Sequence, residues 1–161
     1  MSSFWKKSAG PDELPARQPG DPYRVMFVCI GNSCRSPIAE GFARARHAEV
    51  IEAFSAGVGP APIIQPETYA VMAEVDVSLE GQYPKFIAAT PYNSMDLIIN
   101  MARAPLVPRL PNFTPGELMP SGPVEWVVPD PIGRPLAIYR QVRDDIEQRV
   151  AQLADELRAR D

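Results

Sequence analysis

The stretch that most restricts this chain is Cys29-Ile30-Gly31-Asn32-Ser33-Cys34-Arg35-Ser36, set between a short apolar run and a helix start. Upstream, Tyr23 to Cys29 (YRVMFVC) is β-rich and largely apolar, as expected of a buried parallel strand. Downstream, Ser36-Pro37 supplies an N-cap and a proline for the first helical position, and Ile38, Phe42 and Ala45 follow at helical spacing. A strand, a tight loop and a helix N-terminus in that order turn successive backbone N–H groups toward one point, where a tetrahedral oxyanion binds.

Each residue type in the loop suits that task. Gly31 and Asn32 tolerate the positive φ that such a turn requires. The field of the loop stabilises a thiolate at Cys29, making it a nucleophile. Arg35 offers a planar fork that holds two oxygens at once, which lysine cannot do. Residues Ile30, Gly31, Asn32, Ser33, Cys34 and Arg35 are thus the expected phosphate cradle. Ser36 is placed to cap the helix and to donate its hydroxyl to the Cys29 sulfur, and the Asn32 amide to fix the loop internally. A Cys and an Arg at this spacing alone are common; the strand, the Gly-Asn turn and the Ser-Pro helix start around them point to function.

The strand-helix alternation continues. Val50 to Phe54 reads as a second strand ending in Ser55-Ala56-Gly57, and Pro66 opens a helix carrying Tyr69, Met72 and Ala73. Met95 to Met101 (MDLIINM) is a third buried strand. Residues 104–123 are proline-rich and predict an irregular crossing with one short helical turn. A fourth strand, Val124 to Val128, leads into Pro129-Asp130-Pro131. Leu136, Tyr139, Val142, Ile146, Val150, Leu153 and Leu157 then form one apolar stripe at three- and four-residue steps, with Asp145 and Arg149 paired across a turn. Residues 1–21 show no periodicity and predict a flexible tail, leaving 22–161 as the domain. Strands alternating with helices imply a parallel α/β sheet whose ligands bind outside the strands' carboxyl ends, where Cys29 and Asp130 both fall.

A net charge of -4 and a pI near 5.1 oppose broad binding of nucleic acid or of an anionic membrane. No run is long enough to span a bilayer, and the first residues lack a secretory signal, so a cytoplasmic location is expected. Two cysteines five positions apart and a single histidine, His47, leave no metal site or cofactor expected. His47 ends the first helix, where a dipole contact accounts for it. Tyr139 lies on the apolar stripe and reads as core, and Trp126 reads as packing near Asp130.

The octet and its continuation, Cys-Ile-Gly-Asn-Ser-Cys-Arg-Ser-Pro-Ile-Ala-Glu, resemble the signature of the low-molecular-weight protein tyrosine phosphatases and their relatives, the arsenate reductases. Ser55-Ala56-Gly57 and Asp130-Pro131 match the same family, so the resemblance covers about residues 23 to 158. It implies a single three-layer doubly wound α/β domain, with a four-stranded parallel sheet flanked by helices in the flavodoxin-like order 2-1-3-4. It further implies that Cys29 attacks phosphorus to form a cysteinyl-phosphate. Asp130 then protonates the leaving oxygen and activates water for the second step. Cys34 matches a cysteine that pairs reversibly with the nucleophile under oxidation; a packed thiol without redox duty is the alternative. Animal members carry aromatic residues after the Asp-Pro, where this chain has Ile132 and Gly133. Family members often have a loop-supporting histidine before the third strand, which Val77 to Gly81 lacks.

The first expectation is therefore a phosphomonoester hydrolase acting on a phosphorylated protein or a small aryl phosphate, of undetermined oligomeric state. The second is an arsenate reductase dependent on a small cellular thiol, since arsenate copies phosphate but this chain has no cysteine after Cys34 to continue the relay. A non-catalytic module binding a phosphorylated partner is the third.

Overall fold

The structure, a computed structural model, describes residues 13–160. Four strands form one parallel sheet: β1 (Tyr23–Cys29), β2 (Ile51–Gly57), β3 (Leu97–Asn100) and β4 (Val124–Glu125), in the spatial order β2-β1-β3-β4. The expected order is thus observed. Three α-helices accompany the sheet: α1 (Arg35–Arg46), α2 (Pro66–Ala73) and α3 (Leu136–Arg160). α3 packs against both α1 and α2. Among the described residues, no helix is long and apolar enough to cross a membrane.

β1 is central because it can be buried on both sides. Val25, Met26, Phe27 and Val28 are all fully buried, and successive side chains point to opposite faces, so both faces are covered. Its register with β2 sets Cys29 beside Gly57, bringing the carboxyl ends of the two strands together. Leu97 to Asn100 are likewise buried throughout.

Several boundaries differ from expectation, each for a local reason. α1 begins at Arg35, not after a Ser36 cap: Cys34 is the cap residue and offers no side-chain cap bond, while Ser36 is drawn inside the first turn to face Cys29. Pro37 therefore sits two residues inside the helix, still where its missing N–H is harmless. The buried face of α2 is Thr68, Val71 and Met72, and Tyr69 is exposed. β4 pairs for two residues only, because β3 ends at Asn100, whose carbonyl accepts the Trp126 N–H (3.0 Å). The irregular crossing holds one turn of 3-10 helix at Val107–Arg109.

α3 buries the expected stripe at Tyr139, Val142, Ile146, Val150 and Leu157, with Leu136 and Leu153 partly buried against the core. Asp145 and Arg149 pair at 2.9 Å. Of the tail expected over 1–21, residues 1–12 lie outside the described residues. Residues 13–21 form no regular element; there, Leu14 packs on the core, its N–H donates to Ser94 Oγ (2.7 Å), and Arg17 lies over the Tyr23 ring.

Candidate active site

The loop after β1 is held by its carbonyls. Cys29 O, Ile30 O and Gly31 O accept the N–H groups of Val58 (3.2 Å), Gly59 (2.9 Å) and Ala61 (2.9 Å). Ser33 O accepts both the Gln65 N–H (3.1 Å) and the Thr68 hydroxyl (2.8 Å). The oxygens are thus tied to the segment after β2, whereas no backbone N–H from Ile30 to Ser36 has a protein acceptor among the described residues. Seven consecutive donors are thus left without a protein acceptor beside a helix N-terminus, an arrangement whose chemistry suits an anion. Asn32 takes the positive φ (52°); Gly31 does not, so its expected left-handed turn is absent.

Arg35 is 2% exposed and anchored from one side. Its Nη1 donates to Met101 O (2.6 Å) and Val128 O (3.0 Å), tying α1 to the ends of β3 and of the strand-like run beyond β4. Buried Nε has no partner among the described residues, and Nη2 has only Asp130 Oδ2 at 3.6 Å. Nε and Nη2 are the two donors of one guanidinium edge, so the edge free to accept two oxyanion oxygens is the unfilled one. The Asp130 side chain is 39% exposed, and its other oxygen accepts the Ile132 N–H (3.1 Å). The fold therefore brings the loop that carries Cys29 and Arg35 and the distant Asp130 to one end of the sheet.

Behind the loop lies a buried polar network. The Cys29 sulfur is 3.0 Å from Ser36 Oγ, as expected. Asn32 Nδ2 donates to Ser36 Oγ (2.8 Å) and to Ser55 Oγ (3.0 Å), and Ser55 donates to Glu40. Glu40 is buried and pairs with Arg44. Asn32 Oδ1 accepts from the Lys85 N–H (2.9 Å), with Lys85 Nζ at 3.5 Å. Sequence reasoning did not single out Glu40, Thr68 or Lys85. Glu40 ends the recognised motif and was within reach; Lys85 stands in an irregular stretch without periodicity and carried no signal.

The remaining candidates are structural in their surroundings. Cys34 is buried, with its sulfur 3.8 Å from Ser33 Oγ and 3.9 Å from the Tyr139 hydroxyl. Burial pushes its thiol above the ordinary range. Both cysteines are free thiols. Tyr139 is core, and burial raises its phenol. Trp126 packs on Phe27, the ring centroids being 5.9 Å apart. His47 ends α1 as its C-cap, burial and then Arg158 push its imidazole below the ordinary range, and its Nδ1 lies 3.1 Å from Arg158 Nη2.

A sequence model of the family described as "Low molecular weight phosphotyrosine protein phosphatase" matches residues 24–161. The glutaredoxin arsenate reductase of Synechocystis sp. is 33% identical over 130 residues, covering 81% of this chain and 95% of that protein. Among solved structures, an arsenate reductase in the phosphate binding state superimposes with a TM-score of 0.72 at 31% identity, covering 84% of this chain and 98% of the other. The YwlE arginine phosphatase from Geobacillus stearothermophilus also reaches 0.72, at 26% identity, covering 86% and 95%.

Proposed function

The chain belongs to the low molecular weight phosphotyrosine protein phosphatase family, and we propose that within it the protein is a phosphomonoester hydrolase working through a cysteinyl-phosphate. The observation that carries this reading is the set of unpaired donors at the loop: backbone N–H groups 30–36 and the Nε of Arg35, gathered around Cys29 with a carboxyl group alongside. Donors arranged in advance of the reaction stabilise the charge that develops on the equatorial oxygens of a transferring phosphoryl group.

The steps follow from the positions. The Cys29 thiolate attacks phosphorus as the bond to the ester oxygen breaks, and the leaving oxygen takes its proton from Asp130. Asp130, now a carboxylate, accepts a proton from water as that water attacks the phosphocysteine, releasing inorganic phosphate and restoring the thiolate. Ser36 donates to the sulfur, and Arg35 clamps the oxygens throughout. Ile30, next to Cys29, and Ile132, two residues beyond Asp130, are exposed aliphatic side chains. The substrate class is a phosphorylated protein or a small aryl phosphate. A cytoplasmic setting belongs to the proposal, because the nucleophile must stay reduced. Cys34 as the disulfide partner of oxidised Cys29 belongs to it as well.

A second reading is favoured by the names of relatives: a small-thiol-dependent arsenate reductase. It uses the same thiolate and loop, but this chain's two cysteines are both in the loop, so an external thiol must take the arsenic onward. The deciding experiment is hydrolysis of an aryl phosphate by the purified chain, alongside arsenate-dependent oxidation of glutathione. Hydrolysis that disappears in Cys29→Ser, without arsenate reduction, supports the phosphatase. Reduction without hydrolysis supports the reductase.

A further inference from the structure

We propose that Lys85 is a positioning residue that sets the direction of a hydrogen-bond relay, Lys85 to Asn32 to Ser36 to Cys29, and so stabilises the nucleophile as a thiolate. The inference rests on the proposed role of Cys29 as nucleophile, whichever oxyanion it attacks.

The relay has a direction because an amide has two unlike ends. Asn32 Oδ1 faces two donors on Lys85, the main-chain N–H at 2.9 Å and the ammonium at 3.5 Å, so that end of the amide is the acceptor. Its Nδ2 must then point the other way, toward Ser36 Oγ (2.8 Å) and Ser55 Oγ (3.0 Å). Ser36 Oγ, having accepted from Asn32, has its own proton left to give. Cys29 Sγ at 3.0 Å is nearer than Ala56 O at 3.5 Å. A proton aimed at sulfur favours the thiolate over the thiol, which would need to be the donor itself. Flip the Asn32 amide and the sequence of donors breaks at its first link.

The ammonium is fixed by more than Asn32. It donates to Ser55 O (3.2 Å) and stands 4.7 Å from the Tyr83 ring centroid. Glu40 and Arg44 are the charged groups facing it: burial lowers the Lys85 ammonium below its ordinary range, Glu40 opposes that shift, and Arg44 adds to it. A lysine held in this way loses its proton at lower pH than an exposed one, so the relay weakens on the alkaline side.

The test measures the thiolate without any substrate: the pH dependence of Cys29 alkylation by iodoacetate in Lys85→Met and Lys85→Arg, with thermal melts to establish folding. Lys85→Met keeps the main-chain bond to Asn32 and removes only the ammonium. Its alkylation profile is expected to move to higher pH and its kcat/KM for aryl phosphate to fall roughly 10-fold, as for other partners one bond removed from reacting groups. Lys85→Arg retains charge and is expected to stay near the wild-type profile. Lys85→Ala gives a second background: Lys85 borders a groove of about 830 Å³ that admits a small amine, and propylammonium is expected to restore alkylation at neutral pH. An unmoved profile in Lys85→Met, or no response to amine in Lys85→Ala, overturns the proposed role of the ammonium and leaves Asn32 held by the Lys85 main-chain N–H alone. Because alkylation needs no turnover, those outcomes leave the phosphatase reading to its own hydrolysis assay.

Discussion

Asp130 Oδ2 stands 3.6 Å from Nη2 of Arg35, on the guanidinium edge that carries the unpartnered Nε. The carboxylate therefore occupies the margin of the space in which the proposed phosphate oxygens sit. An incoming dianion competes with it for Arg35 and repels its charge, which favours the protonated acid needed for the first step. In the proposed mechanism, substrate binding and acid preparation are one electrostatic event.

That coupling makes Asp130→Asn a sensitive variant. Esters with poor leaving groups are expected to lose roughly 10²- to 10⁴-fold in kcat, the usual reach of a positioned acid, while esters with good leaving groups lose far less. The measurement is a series of aryl phosphates of graded leaving-group acidity. Equal losses along the series would leave Asp130 a structural residue.

Arg35→Lys is expected to damage both binding and stability. Lysine cannot offer two donors along one edge, so inhibition by inorganic phosphate weakens by an order of magnitude or more. Met101 O and Val128 O also lose the Nη1 that serves both, at about 1–3 kcal/mol for a buried acceptor left unpaired. Phosphate inhibition constants and thermal melts check the two halves separately. A variant with unchanged phosphate affinity would place the anion elsewhere.

The parts of this site that were legible in sequence are those in which local pattern and chemistry coincide. Cys29 to Ser36 announces itself because a strand, a turn and a helix start are contiguous, and Asp130 because it follows the β-rich run Val124 to Val128 by two residues. Boundaries were harder to read: Ser36 has the composition of an N-cap, but the pull of the Cys29 sulfur and the Asn32 amide places it inside the helix. On α2, Tyr69, Met72 and Ala73 were the residues named from the sequence, yet Tyr69 is exposed and Thr68 takes the inner face, its hydroxyl reaching Ser33 O. Lys85 was invisible for a different reason. It meets Asn32 across 53 positions, through a segment with neither periodicity nor motif, so only the folded chain brings the two together.

Glu74, at the C-terminal end of α2, gives a pH signature of the helix packing. It bonds both Arg140 and Arg143 on α3, and these partners hold its carboxyl well below the ordinary 4.5, at about 2. A folded-state value below the unfolded one means that the stabilisation is complete above the ordinary carboxylate range and is lost as pH falls toward about 2. Wild type is thus expected to melt higher than Glu74→Gln at pH 7, with the gap closing below pH 4.5 and narrowing with salt. Melting temperatures across that range check it; a gap that persists at pH 2 would assign the effect to packing rather than charge.

Gly57→Ala tests how closely the loop must approach the sheet. Gly57 ends β2 opposite Cys29, and a Cβ there would lie 2.6 Å from Ile30 O and 2.9 Å from Asn32 N. Both contacts are with backbone, so no flexible side chain can yield, and the loop itself must move. Because Asn32 also orients Ser36, the displacement reaches the Cys29 sulfur as well as the donors around the anion. The expected loss of kcat/KM is on the order of 10²-fold, as for a misplacement of about 1 Å in a positioned site. The overpacking is expected to cost only about 1–3 kcal/mol of stability. Activity should thus fall well before the fold does, seen as a melting temperature lowered by several degrees in a protein that hydrolyses poorly. Near wild-type hydrolysis in this variant would mean that the loop tolerates displacement and that its donors are not fixed in advance.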